Sequence, residues 1–157
     1  MLFVLALVCL MFAPLQRPVD VVKWSVVPAA TAVAPGTTVN LKVSADVQPG
    51  WKLYAIEQPH GGPKPLAFAT TEPSAFQLAS KRIVSPPSKV QKQDDNFAVS
   101  THYYDGATVF TVPVTVSRST AAGVHTVPLE VTFQACGKDI CLRPFTQKLP
   151  VEVTVRP

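Results

Sequence analysis

The sequence predicts an all-β chain arranged as an antiparallel β-sandwich, and three observations carry that prediction. Four segments alternate apolar and polar residues with period two, the pattern of a strand with one buried face. Sixteen prolines against seven glycines break the 157 residues into short pieces. No segment shows an amphipathic helical period of useful length. Hydrophobic residues make up 47% and charged residues 15%, which is enough apolar material for one core and too little charge for a disordered chain.

The elements follow in order. Thr38 to Val47 sends Val39, Leu41, Val43, Ala45 and Val47 to one face and Asn40, Lys42, Ser44 and Asp46 to the other. Gln48-Pro49-Gly50 reads as a turn. Trp51 to Ile56 reads as the next strand, and Pro59 to Pro65 as a loop. Leu66 to Thr70 and Phe76 to Ala79 are short strand candidates, and Ser85 to Ser88 breaks the chain again. Lys89 to Tyr104 is polar without a clear period and reads as a long exposed loop or irregular hairpin. Alternation returns over Thr108 to Val116, Thr126 to Gln134 and Gln147 to Val155. Pro113, Pro128 and Pro150 lie on the polar faces of these three strands. Proline has no ladder donor, so they predict sheet edges or local irregularities. Seven or more short strands at this spacing predict an immunoglobulin-like sandwich, with one domain over residues 19–157.

The N-terminus differs from the rest. Leu2 to Ala13 is an uninterrupted apolar run. It is shorter than the about 20 residues a membrane-spanning helix needs, and it fits the hydrophobic part of a secretory signal. Residues 1–18 are therefore expected to be a leader, although no Lys or Arg precedes the run. Cys9 lies inside it; Leu7 and Val8 before it lack the small residue of a lipoprotein signal. Removing the leader leaves two cysteines, and an even count in an exported domain indicates a disulfide-permissive compartment.

The formal net charge is +4, but the basic residues are scattered and form no arginine-rich run. This argues against nucleic-acid binding. There is no glycine-rich phosphate loop, no Ser-His-Asp arrangement and no usefully spaced carboxylate pair. The three histidines, His60, His102 and His125, are not spaced as ligands with the cysteines. His102, beside Tyr103 and Tyr104, would be the one to contribute to any metal site. No cofactor, metal or small-molecule substrate is expected.

What remains is the segment Phe133-Gln134-Ala135-Cys136-Gly137-Lys138-Asp139-Ile140-Cys141-Leu142-Arg143-Pro144. Cys136 ends a predicted strand, and Gly137 permits a tight turn. If Cys141 begins the opposite arm, the two sulfurs can meet. Thiol–disulfide exchange is the leading candidate chemistry. The bland alternative is a staple across a hairpin in a non-catalytic immunoglobulin-like binding module. So short a loop gives little entropic stabilisation. Spacing alone leaves both readings open, with a metal-handling module as a third.

Cys136 to Pro144, followed by Thr146-Gln147-Lys148-Leu149-Pro150-Val151, resembles the N-terminal periplasmic domain of the DsbD thiol–disulfide reductase family. So do Gly50-Trp51-Lys52-Leu53-Tyr54, Asp95-Asn96-Phe97 and Phe110-Thr111-Val112-Pro113-Val114, in the same order. The likeness runs from about Val21 to Val155. It implies an immunoglobulin-like module that relays electrons from a membrane-embedded DsbD-type reductase to periplasmic thioredoxin-fold partners, including those of cytochrome c maturation. By position, Cys141 would form the mixed disulfide and Cys136 would resolve it. Phe97 would cap the pair, Tyr54 would line the pocket, and Asp94 or Asp95 would supply acidic groups. Read without the resemblance, Asp94 and Asp95 belong to a solvated loop. The chain departs from the family in its slightly shorter cysteine turn and in the residues Gly-Lys-Asp within it. It also contains no multi-span membrane segment and no C-x-x-C thioredoxin-like domain. It is therefore expected to work with a separately encoded reductase or to be part of something longer.

Overall fold

A computed structural model describes residues 16–157. Residues 1–15 of the expected leader, Cys9 among them, lie outside the described residues. Gln16 and Arg17 lead into one helical turn, α1 (Pro18–Val21), and everything after it is strand, turn or loop. No helix among the described residues is long and apolar enough to cross a membrane.

The strands are β1 (Val22–Pro28), β2 (Ala32–Val33), β3 (Thr38–Val47), β4 (Lys52–Tyr54), β5 (Ala67–Thr70) and β6 (Phe76–Leu78). After a 3-10 turn at Ser80–Arg82 come β7 (Lys89–Gln91), β8 (Thr101–Tyr104), β9 (Ala107–Val116), β10 (Gly123–Phe133), β11 (Ala135–Cys136) and β12 (Phe145–Val155). They form three sheets, ordered β1-β3-β9-β6, β2-β12-β10-β5 and β11-β4-β8-β7. All pairs are antiparallel except β2 with β12. The architecture is an immunoglobulin-like β-sandwich.

Period-two burial explains why the four alternating segments became the long strands. In β3, Val39, Leu41, Val43, Ala45 and Val47 are buried while Asn40, Lys42 and Asp46 are exposed. The first two sheets close on an aromatic cluster. Trp24 of β1 and Phe110 of β9 meet Phe68 of β5 and Phe133 of β10, with ring centroids 5.5–6.2 Å apart. Burying side chains of this size contributes on the order of 1.5–3 kcal/mol each.

Pro113 and Pro128 sit where a neighbouring strand ends, and Pro150 lies on a stretch of β12 that only β10 pairs, so the first two are local irregularities and the third is on an edge. The Pro113 carbonyl accepts from Ala79, at the point where β6 gives way to the 3-10 turn. Pro128 faces Pro150 across β10 and β12. Its carbonyl accepts from Thr71, just past the end of β5. A strand residue's N–H and C=O point to the same side, so Pro113 and Pro128 each keep the acceptor half of a pair at the end of a ladder and lack the donor half.

Two local features position the third sheet. Gln48-Pro49-Gly50 is a tight turn in which the Trp51 N–H donates to the Gln48 carbonyl at 3.0 Å. Gly50 takes φ +84°, the left-handed geometry that the third residue of a type II turn requires. This turn delivers β4 beside β11. Lys89 to Tyr104 is an irregular hairpin, β7 and β8 joined by a loop, and it is not wholly exposed: Asp94, Thr101 and Tyr104 are buried.

Candidate functional site

The site grows from register. Cys136 pairs with Lys52, Tyr54 with Tyr103, Tyr103 with Lys89, and Thr101 with Gln91. Paired residues point to one face of a sheet, as do residues two apart along a strand. Cys136, Lys52, Tyr54, Tyr103 and Thr101 therefore share one face. Leu53, Tyr104 and Ala135 face the core on the other.

Cys136 and Cys141 form a disulfide across a hairpin. The Gly137 N–H donates to the Ile140 carbonyl at 2.8 Å, and the Leu142 N–H donates to the Ala135 carbonyl at 3.0 Å. The cysteines lie between these two bonds in a non-hydrogen-bonded pair, the closer kind, with Cα atoms 4.1 Å apart. Lys138 and Asp139 make the tip. The Trp51 indole packs on Gly137, where an added Cβ would meet the ring at 3.5 Å. Access to the two sulfurs differs: Cys136 is fully buried, Cys141 is half-buried, and Ile140 beside it is 52% exposed.

The loop between β7 and β8 folds back over this face. Asp94 ties it down from within: its N–H donates to the Val99 carbonyl, and its carbonyl accepts from Phe97 and Ala98. Its carboxylate accepts from the Asn96 N–H at 2.9 Å, the Thr101 hydroxyl at 2.9 Å and the Tyr54 hydroxyl at 3.0 Å. The Lys52 ammonium stands 4.0 Å away. It also donates to Gln91 and lies 5.5 Å from the centre of the Tyr103 ring. Phe97, half-buried, sets its ring edge-on against Tyr54 with centroids 5.5 Å apart.

Two ionisations respond. Burial pushes the Asp94 carboxyl up, but the donors Asn96, Thr101 and Tyr54 and the Lys52 charge outweigh it, so the carboxyl sits below its ordinary value. Burial, reinforced by the Asp94 carboxylate, pushes the Tyr54 hydroxyl well above the usual phenol range. At neutral pH the site holds an ionised Asp94 and a neutral Tyr54.

The structure brings Cys136, Cys141, Tyr54 and Phe97 to one side of the third sheet. It separates the two aspartates. Asp94, read as solvated from the sequence, is 1% exposed and holds the loop, whereas Asp95 is exposed. The carboxylate that reaches Tyr54 is Asp94, not Asp95. His102 is placed elsewhere, with its Nδ1 3.2 Å from the Ser88 hydroxyl. Among the described residues, no three His, Cys, Asp or Glu side chains converge as a metal site. Lys52 and Thr101 were not singled out in the sequence. Alternation with Tyr54 is a signal that could have found Lys52.

The fold and site define a class, an immunoglobulin-like sandwich with a hairpin disulfide on the sheet face that also carries Tyr54, against which Phe97 packs. Residues 23–152 match the family described as thiol:disulfide interchange protein DsbD, N-terminal, and the chain belongs to it. Its structure is similar to the N-terminal periplasmic domain of ScsB from Proteus mirabilis, with a TM-score of 0.55 and 16% identity over 86% of this chain and 49% of that one. The chain thus spans about half the length of that chain, and at this identity the likeness shows the fold alone. The CssB subunit of an enterotoxigenic Escherichia coli colonization factor gives a TM-score of 0.42 at 11% identity, over 87% of this chain and 98% of that one. So low a score carries no argument. No curated protein matches the sequence.

Proposed function

We propose that this domain is an exported thiol–disulfide relay that passes reducing equivalents to periplasmic thioredoxin-fold partners and is recharged by a membrane-embedded DsbD-type reductase. Membership of the interchange family supports the chemistry. The unequal access of the two cysteines carries the assignment of roles. The accessible Cys141 thiolate attacks a partner disulfide, forming a Cys141–partner bond and releasing one partner sulfur as thiolate. The buried Cys136 thiolate then attacks the Cys141 sulfur, re-forming the internal disulfide and releasing the second partner sulfur. Two electrons pass to the partner, whose thiolates take up the two protons that the domain's thiols gave up. Phe97 caps the pair until a partner docks, and Tyr54 and Asp94 hold that cap closed.

The burial of Cys136 is the observation that favours the second reading, a structural bond in a binding module. Against it, closing a loop this short stabilises the fold by only about 2 kcal/mol in the chain-entropy account.

Mixing the reduced domain with an oxidised thioredoxin-fold protein and counting thiols by mass tests the function. The partner is expected to gain two thiols as the domain loses two, faster in Phe97→Ala than in the parent domain. A partner that stays oxidised contradicts the relay. A Phe97→Ala rate equal to the parent's removes the cap role.

A further inference from the structure

We propose that Lys52 is a positioning residue that promotes ionisation of Cys136 for the resolving step; the inference rests on the relay function above. Its basis is the placement of the side chain. Lys52 is the cross-strand partner of Cys136 and shares its face, which puts the two Cβ atoms about 5 Å apart. Cys136 is fully buried, and burial alone disfavours its thiolate. The ionised Asp94 carboxylate on the same face disfavours it further.

The remaining titratable groups do not replace Lys52. Tyr54 on β4 itself and Tyr103 on β8 bring phenols, and Lys89 of β7 is held by Asp105 at 2.7 Å. Asp95 in the loop and Lys138, Asp139 and Arg143 around the hairpin tip are exposed, where water and salt weaken their effect. Lys52 is the cation whose side chain is mostly buried, 26% exposed, and opposite the thiol. Its charge is also incompletely spent. The Asp94 oxygen is at 4.0 Å, the limit of an ion pair, and the other contacts are the neutral Gln91 and the Tyr103 ring. Opening the disulfide frees a sulfur across the strand pair from Lys52, whose flexible side chain holds its ammonium on the Gln91 and Tyr103 side of the same face and is free to turn toward a new charge. A thiolate at Cys136 then completes the charge pairing, and the nucleophile for the second step forms near neutral pH.

An aromatic disulfide probe separates the two steps. In the first phase the Cys141 thiolate attacks the probe and one aromatic thiolate leaves. In the second, Cys136 attacks the Cys141 sulfur and the other aromatic thiolate leaves. Lys52→Met is expected to slow the second phase about tenfold at pH 7 and to move its pH profile up by about one unit. The first phase should change little. Lys52→Arg, which keeps the charge, should restore the parent profile. A merely structural Lys52 would shift both phases together, and that result, or an unchanged second phase in folded Lys52→Met, overturns the inference. Should Lys52→Met not fold, the double variant Lys52→Met/Asp94→Asn leaves no unpaired buried carboxylate. It is compared with Asp94→Asn alone, and the same slowing of the second phase is expected. A parent domain that never releases the second thiolate defeats the relay itself. A parent domain that does, beside an unaffected Lys52 variant, defeats only the role of Lys52.

Discussion

Cys136→Ser is expected to convert a transient intermediate into a stable product. With Cys141 left to attack and no sulfur to resolve, the domain should accumulate as a one-to-one mixed disulfide with an oxidised thioredoxin-fold protein. Cys141→Ser should give no adduct, because the remaining sulfur is buried behind the hairpin. The effect is all or none, since a serine hydroxyl neither attacks nor leaves as a thiolate does. Intact-mass measurement of the mixture reads it directly. Equal trapping by both variants would mean that the difference in access does not assign the roles.

Asp94→Ala is expected to cost about 3 kcal/mol, the lower end of the range for removing one partner of a buried charged network. The lower end applies because Lys52 is partly exposed and regains water, whereas the Tyr54 and Thr101 hydroxyls lose a charged acceptor. For a domain of this size the melting temperature should fall by about 10 °C. The pH dependence follows from the lowered carboxyl of Asp94. A group ionised more readily in the folded state than in the unfolded one stabilises fully above its unfolded pKa, about 3.9. That stability is lost as pH falls through the folded value. The parent domain should therefore weaken in acid below about pH 4. Asp94→Asn, which keeps an acceptor oxygen but not the charge, should lose less stability than Asp94→Ala at pH 7 and show a flatter acid limb. Thermal melts across pH check both. An Asp94→Ala domain as stable as the parent would show that the loop is not held through its carboxylate.

The long strands were legible because each buries one whole face. Thr38–Val47 was read with the bounds the structure shows, and Thr108 to Val116 differs from β9 by one residue. β1 left a weaker mark: Val26-Val27-Pro28 interrupts its alternation, and Trp24 and Val26 are only partly buried. The cap loop was the least legible part. Asp94 is buried because Tyr54, forty positions away, and Thr101 donate to it. A local polar stretch carries no record of such partners, and so Asp94 looked like surface. Phe97 and the cysteines were placed by resemblance and by turn chemistry, and the register then brought Lys52 to the same face.

The reduction potential of the Cys136–Cys141 pair tests the relay most directly. The domain is equilibrated in glutathione or dithiothreitol buffers, its thiols are trapped, and the reduced fraction is counted by mass. The relay predicts a potential of roughly −120 to −270 mV, the range of exchange-active pairs. A value below about −300 mV marks a structural bond and would contradict it.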